Sequence, residues 1–118
     1  MSPRDTFTAE VPNKIVEDPA FSDWEESLDG SLQPKVQAAL DMIESEGIVT
    51  SAKDLGDGLY EKKWNSGLRL YFAVVQTTGR RTLLILGSGK GREQTRAIKA
   101  ARTVLTSYSV VRESLRKQ

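Results

Sequence analysis

The turns that interrupt the second half of this chain are too short for anything except a chain that doubles back on itself. Three apolar-rich runs, at about 59–64, 67–76 and 81–87, are separated by Asn65-Ser66-Gly67 and by Thr77-Thr78-Gly79. A parallel connection needs roughly a dozen residues or more, so these runs are predicted to form a meander of antiparallel strands. In the central run Leu68, Leu70, Phe72 and Val74 alternate with Arg69, Tyr71 and Ala73. Alternation at period two gives a core face and a second face carrying Arg69 and Tyr71. In the first run Tyr60, Lys62 and Trp64 share one face, and Leu59, Glu61 and Lys63 share the other. The third run ends in Gly87-Ser88-Gly89-Lys90-Gly91.

Residues 1–12 read as an N-terminal extension, an edge strand or a partly disordered segment, with Phe7, Ala9 and Val11 alternating before Pro12. Residues 13–118 read as a single domain. Lys14-Ile15-Val16 suits a short strand. Asp18-Pro19 opens a helix, with Asp as N-cap and Pro at the first helical position, and Phe21, Trp24 and Leu28 follow at helical spacing. A second helix starts near Ser31, buries Val36, Leu40 and Ile43, and stops at Gly47. A final helix is predicted from Glu93 to Lys117, its apolar stripe running from Ile98 to Leu115.

Composition limits the chemistry. The chain has no histidine, so acid–base work falls to Lys, Arg, Tyr, Asp or Glu. It has no cysteine, which excludes disulfides and thiolate metal sites and is compatible with a reducing cytoplasm. The opening residues lack the apolar core of a signal peptide, and no apolar run approaches the roughly 20 residues that span a bilayer. A net charge of +1 conceals a division. Residues 1–52 hold 3 Lys/Arg against 11 Asp/Glu, and residues 53–118 hold 14 against 5. Such asymmetry points to an anionic partner for the basic half, or to two halves that neutralise each other.

The glycine loop invites a nucleotide-binding reading and fails its details. A P-loop needs Ser or Thr after its lysine, where Gly91 stands, and Gly at the position of Leu84. A dinucleotide fingerprint starting at Gly87 needs Gly where Arg92 stands. What remains is a strand–loop–helix junction in which Lys90 and Arg92 suit one phosphate group. Arg69 is the sharper candidate, because a strand holds its fork rigidly and a guanidinium grips phosphate with two charge-assisted bonds. An ion pair across the strands is the competing use of the same side chain. Lys62 and Lys63 face opposite ways, and the chain spacing selects Lys62, with Tyr60, as the lysine beside Arg69. Arg80-Arg81 reads as a solvated hairpin tip, and Arg96, Lys99 and Arg102 as the wet face of the last helix. No carboxylate arrangement suggests glycosidase or metal chemistry.

The order Leu55-Gly56 to Gly58, then Gly67-Leu68-Arg69-Leu70-Tyr71, then Gly89-Lys90 and Gln94 resembles the RelE/ParE superfamily of toxin–antitoxin toxins. The resemblance is to its addiction-module killer protein and HigB-like branch, and it covers roughly residues 13–105, with Trp24 as the family's helix tryptophan. It implies an α+β fold of two N-terminal helices packed on a small, mainly antiparallel sheet, with a C-terminal helix. It implies one of two lethal activities: RelE-like cleavage of mRNA in the ribosomal A site, or ParE-like poisoning of DNA gyrase. A degenerate, non-catalytic homologue acting as a binding module is the third reading. The partners implied are the ribosome with its mRNA, and a cognate antitoxin that usually binds DNA through a helix-turn-helix. No cofactor, metal or membrane is implied.

RNA is cut when its 2′-hydroxyl attacks the adjacent phosphate, which needs a base, charge neutralisation and an acid for the leaving oxygen. Matched to the family, Arg69 takes the strand arginine, Lys62 the strand lysine, Lys90 the lysine after the last strand, and Arg92 the nearby loop arginine. Arg69 and Lys62 are thus the expected catalytic pair, with Lys90 and Arg92 as phosphate contacts. Tyr60 stands where RelE has a second lysine, and Ala97 where it has a C-terminal tyrosine. That leaves Tyr60 and Tyr71 as auxiliary groups.

Overall fold

In the computed structural model, residues 6–86 and 94–116 are described. The strands are β1 (Phe7–Glu10), β2 (Ile15–Glu17), β3 (Ile48–Gly56), β4 (Leu59–Lys63), β5 (Arg69–Thr77), β6 (Arg80–Leu86) and β7 (Ser109–Val110). The helices are α1 (Pro19–Ser27), α2 (Gln33–Glu46) and α3 (Gln94–Leu105). The strands form one seven-stranded sheet in the order β1-β3-β4-β5-β6-β2, with β7 also paired to β5.

This architecture corrects the expected fold. The sheet is not small: it has seven strands, taking in β3 and the two strands ahead of the helices as well as the meander. It is mixed, because β2 pairs with β6 in parallel, Val16 opposite Leu84. The crossover is the α1–α2 hairpin, which carries the chain over one face before β3 begins. The last helix also ends early, at Leu105 rather than Lys117. Its final amides fall into tight turns, with Thr106, Ser107 and Tyr108 bonding back three residues. The β-branched Val110 and Val111 then extend along β5 instead of continuing a helix, Val111 N–H donating to Val74 O.

β3 was hidden from sequence by a bulge. Ala52 faces Phe7 and Val49 faces Ala9, so β3 carries one residue more than β1 across that stretch. Ser51, at φ 55°, lies within this bulge. Buried Val49 and Ala52 are therefore three apart, and the period-two signal disappears.

Both faces of the central strands are buried. On one, Phe21, Leu32, Val36, Leu40 and Ile43 of the first two helices and their linker pack on Tyr60, Leu70, Phe72, Val74, Leu83 and Ile85. On the other, Ala101 and Leu105 of α3 pack on Leu59, Tyr71, Ala73, Val75, Leu84 and Leu86. β5 is buried without a break from Leu70 to Val75. The expectation of one core face on β5 therefore gives way to two.

Residues 109–116 form a strap. It leaves β5 at Val75–Val110, buries Leu115, and reaches β1, where Glu10 N–H donates to Leu115 O and Ala9 bridges Arg116. Arg116 lies 4.3 Å from the Phe7 ring centroid, and Arg81 pairs with Glu113 at 2.7 Å. The strap crosses the β3–β4 turn at Gly58, whose φ is +86° and where a Cβ would lie 2.5 Å from Val110 Cγ1. A Gly58→Ala change should thus cost about 1–3 kcal/mol of stability. Gly56→Ala, at φ +93° but in open space, should cost less. Denaturant unfolding of the two variants measures the difference.

Candidate functional site

Loop length fixes which side chains meet. Trp64 N–H donates to Leu68 O, so residues 65–67 form the whole turn. Counting back from that closure sets Lys63 opposite Arg69, Lys62 opposite Leu70 and Glu61 opposite Tyr71. Directly opposed residues share a face. Lys63, not Lys62, therefore lies beside Arg69, and the pairing of Lys62 with Arg69 is corrected by the register. The signal was present in the sequence, as a three-residue turn leaves no other in-register pairing.

Lys62 points into the α1–α2 side. It is 8% exposed, and Nζ donates to Thr50 O at 2.7 Å and Thr50 Oγ1 at 3.0 Å. The ammonium also lies 5.0 Å from the Trp64 ring centroid. Burial lowers its pKa. Lys62 thus has the lowered pKa expected of a base, but desolvation causes it and its protons bind the sheet's own backbone. Tyr60 shares that side. Its ring stacks on Phe72 at 5.6 Å and meets Phe7 edge-on at 6.1 Å. Burial raises its pKa. Tyr60 is a core aromatic remote from Arg69's face.

On the α3 side, Arg69, Glu61, Gln94 and Tyr71 come together. Glu61 is 1% exposed, and both its oxygens lie 3.3 Å from Arg69 Nη1. Gln94, at the start of α3, donates Nε2–H to Glu61 Oε2 at 3.0 Å. The carboxylate therefore ties α3 to the sheet and fixes the guanidinium, whose side chain is 15% exposed. Arg69 Nε is buried with no hydrogen-bond partner among the described residues. Tyr71 is fully buried. Its hydroxyl has no well-formed hydrogen bond among the described residues, and burial, then the neighbouring Glu61 carboxylate, raises its pKa. Tyr71 stays a neutral O–H donor. Glu61 was overlooked in the sequence because its partner lies eight residues away on the next strand, visible only once the register is known.

Lys90 and Arg92 lie outside the described residues. The residues that bracket their segment do not. Leu86 is paired with Tyr71, and Gln94 is bonded to Glu61. Arg102 departs from its expected role on the wet helix face. Nη2 donates to Leu55 O at 2.8 Å and Nη1 to Gly56 O at 3.2 Å, clamping α3 onto the β3–β4 turn.

Among the described residues no group of His, Cys, Asp or Glu is placed to hold a metal ion, and no helix is long and apolar enough to cross a membrane. No protein-family model, curated protein or solved structure matches the chain.

The burial of Lys62 has a pH signature. Between its lowered folded pKa and the ordinary lysine range, the unfolded chain binds the proton that the folded chain has released. Stability then rises with pH. Relative to Lys62→Met, the natural chain should gain stability as the pH rises toward the ordinary lysine range at about pH 10. Denaturant midpoints across that interval test this, and a difference independent of pH would remove it.

Proposed function

We propose that this protein is the toxin of a type II toxin–antitoxin pair and acts as a ribosome-dependent mRNA endonuclease that blocks translation. The observation that supports this most is Arg69, a partly exposed guanidinium held on a rigid strand by the buried Glu61. The segment carrying Lys90 and Arg92 leaves and re-enters the described fold beside it. In this reading Arg69 holds the scissile phosphate while negative charge develops on its oxygens. Glu61 sets the direction of the fork, and Lys90 and Arg92 contact flanking phosphates. Tyr71 supplies a neutral hydroxyl behind the guanidinium. Lys62 is left with a structural task. The partners are mRNA on the ribosome and a cognate antitoxin, and the setting is the cytoplasm.

A second reading has its own support. Arg69 is already neutralised by Glu61, and Lys62 is spent on Thr50. Both facts favour a homologue that binds without cutting. Gyrase poisoning has no comparable observation behind it.

Controlled induction followed by transcript mapping separates these readings. The natural chain should arrest growth and leave cuts inside translated codons. Arg69→Lys keeps a charge beside Glu61 but loses the planar fork, and should lower cleavage by about 100-fold in a protein that still folds. Arrest with uncut transcripts would refute the nuclease reading; broken DNA in those cells would favour gyrase, and intact DNA the binding module.

A further inference from the structure

The α3-side face of the sheet holds more positive charge than the fold uses. Lys53 lies opposite Glu61, and Lys63 lies opposite Arg69, so the four side chains occupy two adjoining rows on one face. Glu61 is the single carboxylate in these rows, and it is buried and committed to Arg69 and Gln94. Lys53 and Lys63 are exposed, and neither has an ion-pair partner among the described residues. Like charges directly opposite each other on neighbouring strands destabilise a sheet. Glu61 offsets the charge of Arg69, but nothing described offsets Lys63.

We propose that Lys63 and Arg69 form a two-cation clamp for one phosphodiester of single-stranded RNA, with Glu61 as the positioning residue that keeps Arg69 turned toward it. This deepens the RNA reading above and rests on it for the identity of the anion. The division of labour follows from the two side chains. Arg69 is fixed through Nη1 and supplies direction. Lys63 is a mobile point charge at the exposed rim and supplies attraction. A phosphate between them would relieve the cross-strand repulsion. The same oxygen-rich anion would be repelled if Glu61 were exposed, and its burial beneath the arginine removes that obstacle.

The test is the salt dependence of binding to a labelled single-stranded RNA of mixed sequence, read by fluorescence anisotropy. Each phosphate neutralised on a single strand contributes about 0.7 to the slope of log K against log salt. Lys63→Gln should reduce the slope by about that amount without lowering the unfolding midpoint. Arg80→Gln removes the same charge from the exposed start of β6 and should leave the slope unchanged. Equal slopes for Lys63→Gln and the natural chain would overturn the clamp, as would equal losses in both variants, or no RNA binding by the natural chain. A slope lost only in Lys63→Gln, together with uncut transcripts on induction, would keep the clamp and discard the nuclease reading.

Discussion

The structure depends on one strand that has no exposed face. From Leu70 to Val75 every side chain of β5 is buried, so apolar layers must cover the sheet on both sides. The α1–α2 hairpin supplies one layer and α3 the other. Removing apolar surface from water is the largest favourable term in folding, and here it is applied twice, once on each face of the central strands. Polar groups on β4 and β5 must then satisfy each other or reach the rim. Lys62 finds Thr50 on one side, and Glu61 finds Arg69 and Gln94 on the other.

The site is therefore a by-product of layering. Glu61 cannot remain buried without a partner, because an unpaired internal carboxylate is costly. Arg69 meets that need from the neighbouring strand and Gln94 from the overlying helix. The same contact that protects the core also holds a guanidinium at the rim. Buried ion pairs are weak contributors to net stability against well-packed apolar groups. What this pair adds is a fixed direction for the guanidinium.

The meander was legible in the sequence because its turns are short and its alternation regular. The helix signals at Pro19 and Gly47 were equally local. What was not legible needed pairing information. The bulge at Ser51 erased the alternation of β3, and the extended strap looked helical because Ile98, Leu105, Tyr108 and Leu115 fit a helical stripe. Of the site, Arg69 could be picked out by its place on a strand. The choice between Lys62 and Lys63 turned on counting the residues in one turn, and Glu61 had no signal of its own. The uninterrupted apolar run of β6 suits a strand buried on both faces as well as a buried helix segment, and the position of α3 over it decides the matter.

The strap joins two segments from opposite ends of the described chain, Ala9–Glu10 and Leu115–Arg116. Closing a loop of that length is entropically slow, and pairings remote in sequence tend to lengthen folding times. During synthesis β1 must wait for residues 109–116 before its outer edge is covered. An incomplete chain would present that edge open, with the groups that later receive Leu115 still exposed. The strap thus acts as a timer on assembly, and it sets the moment at which the sheet becomes whole.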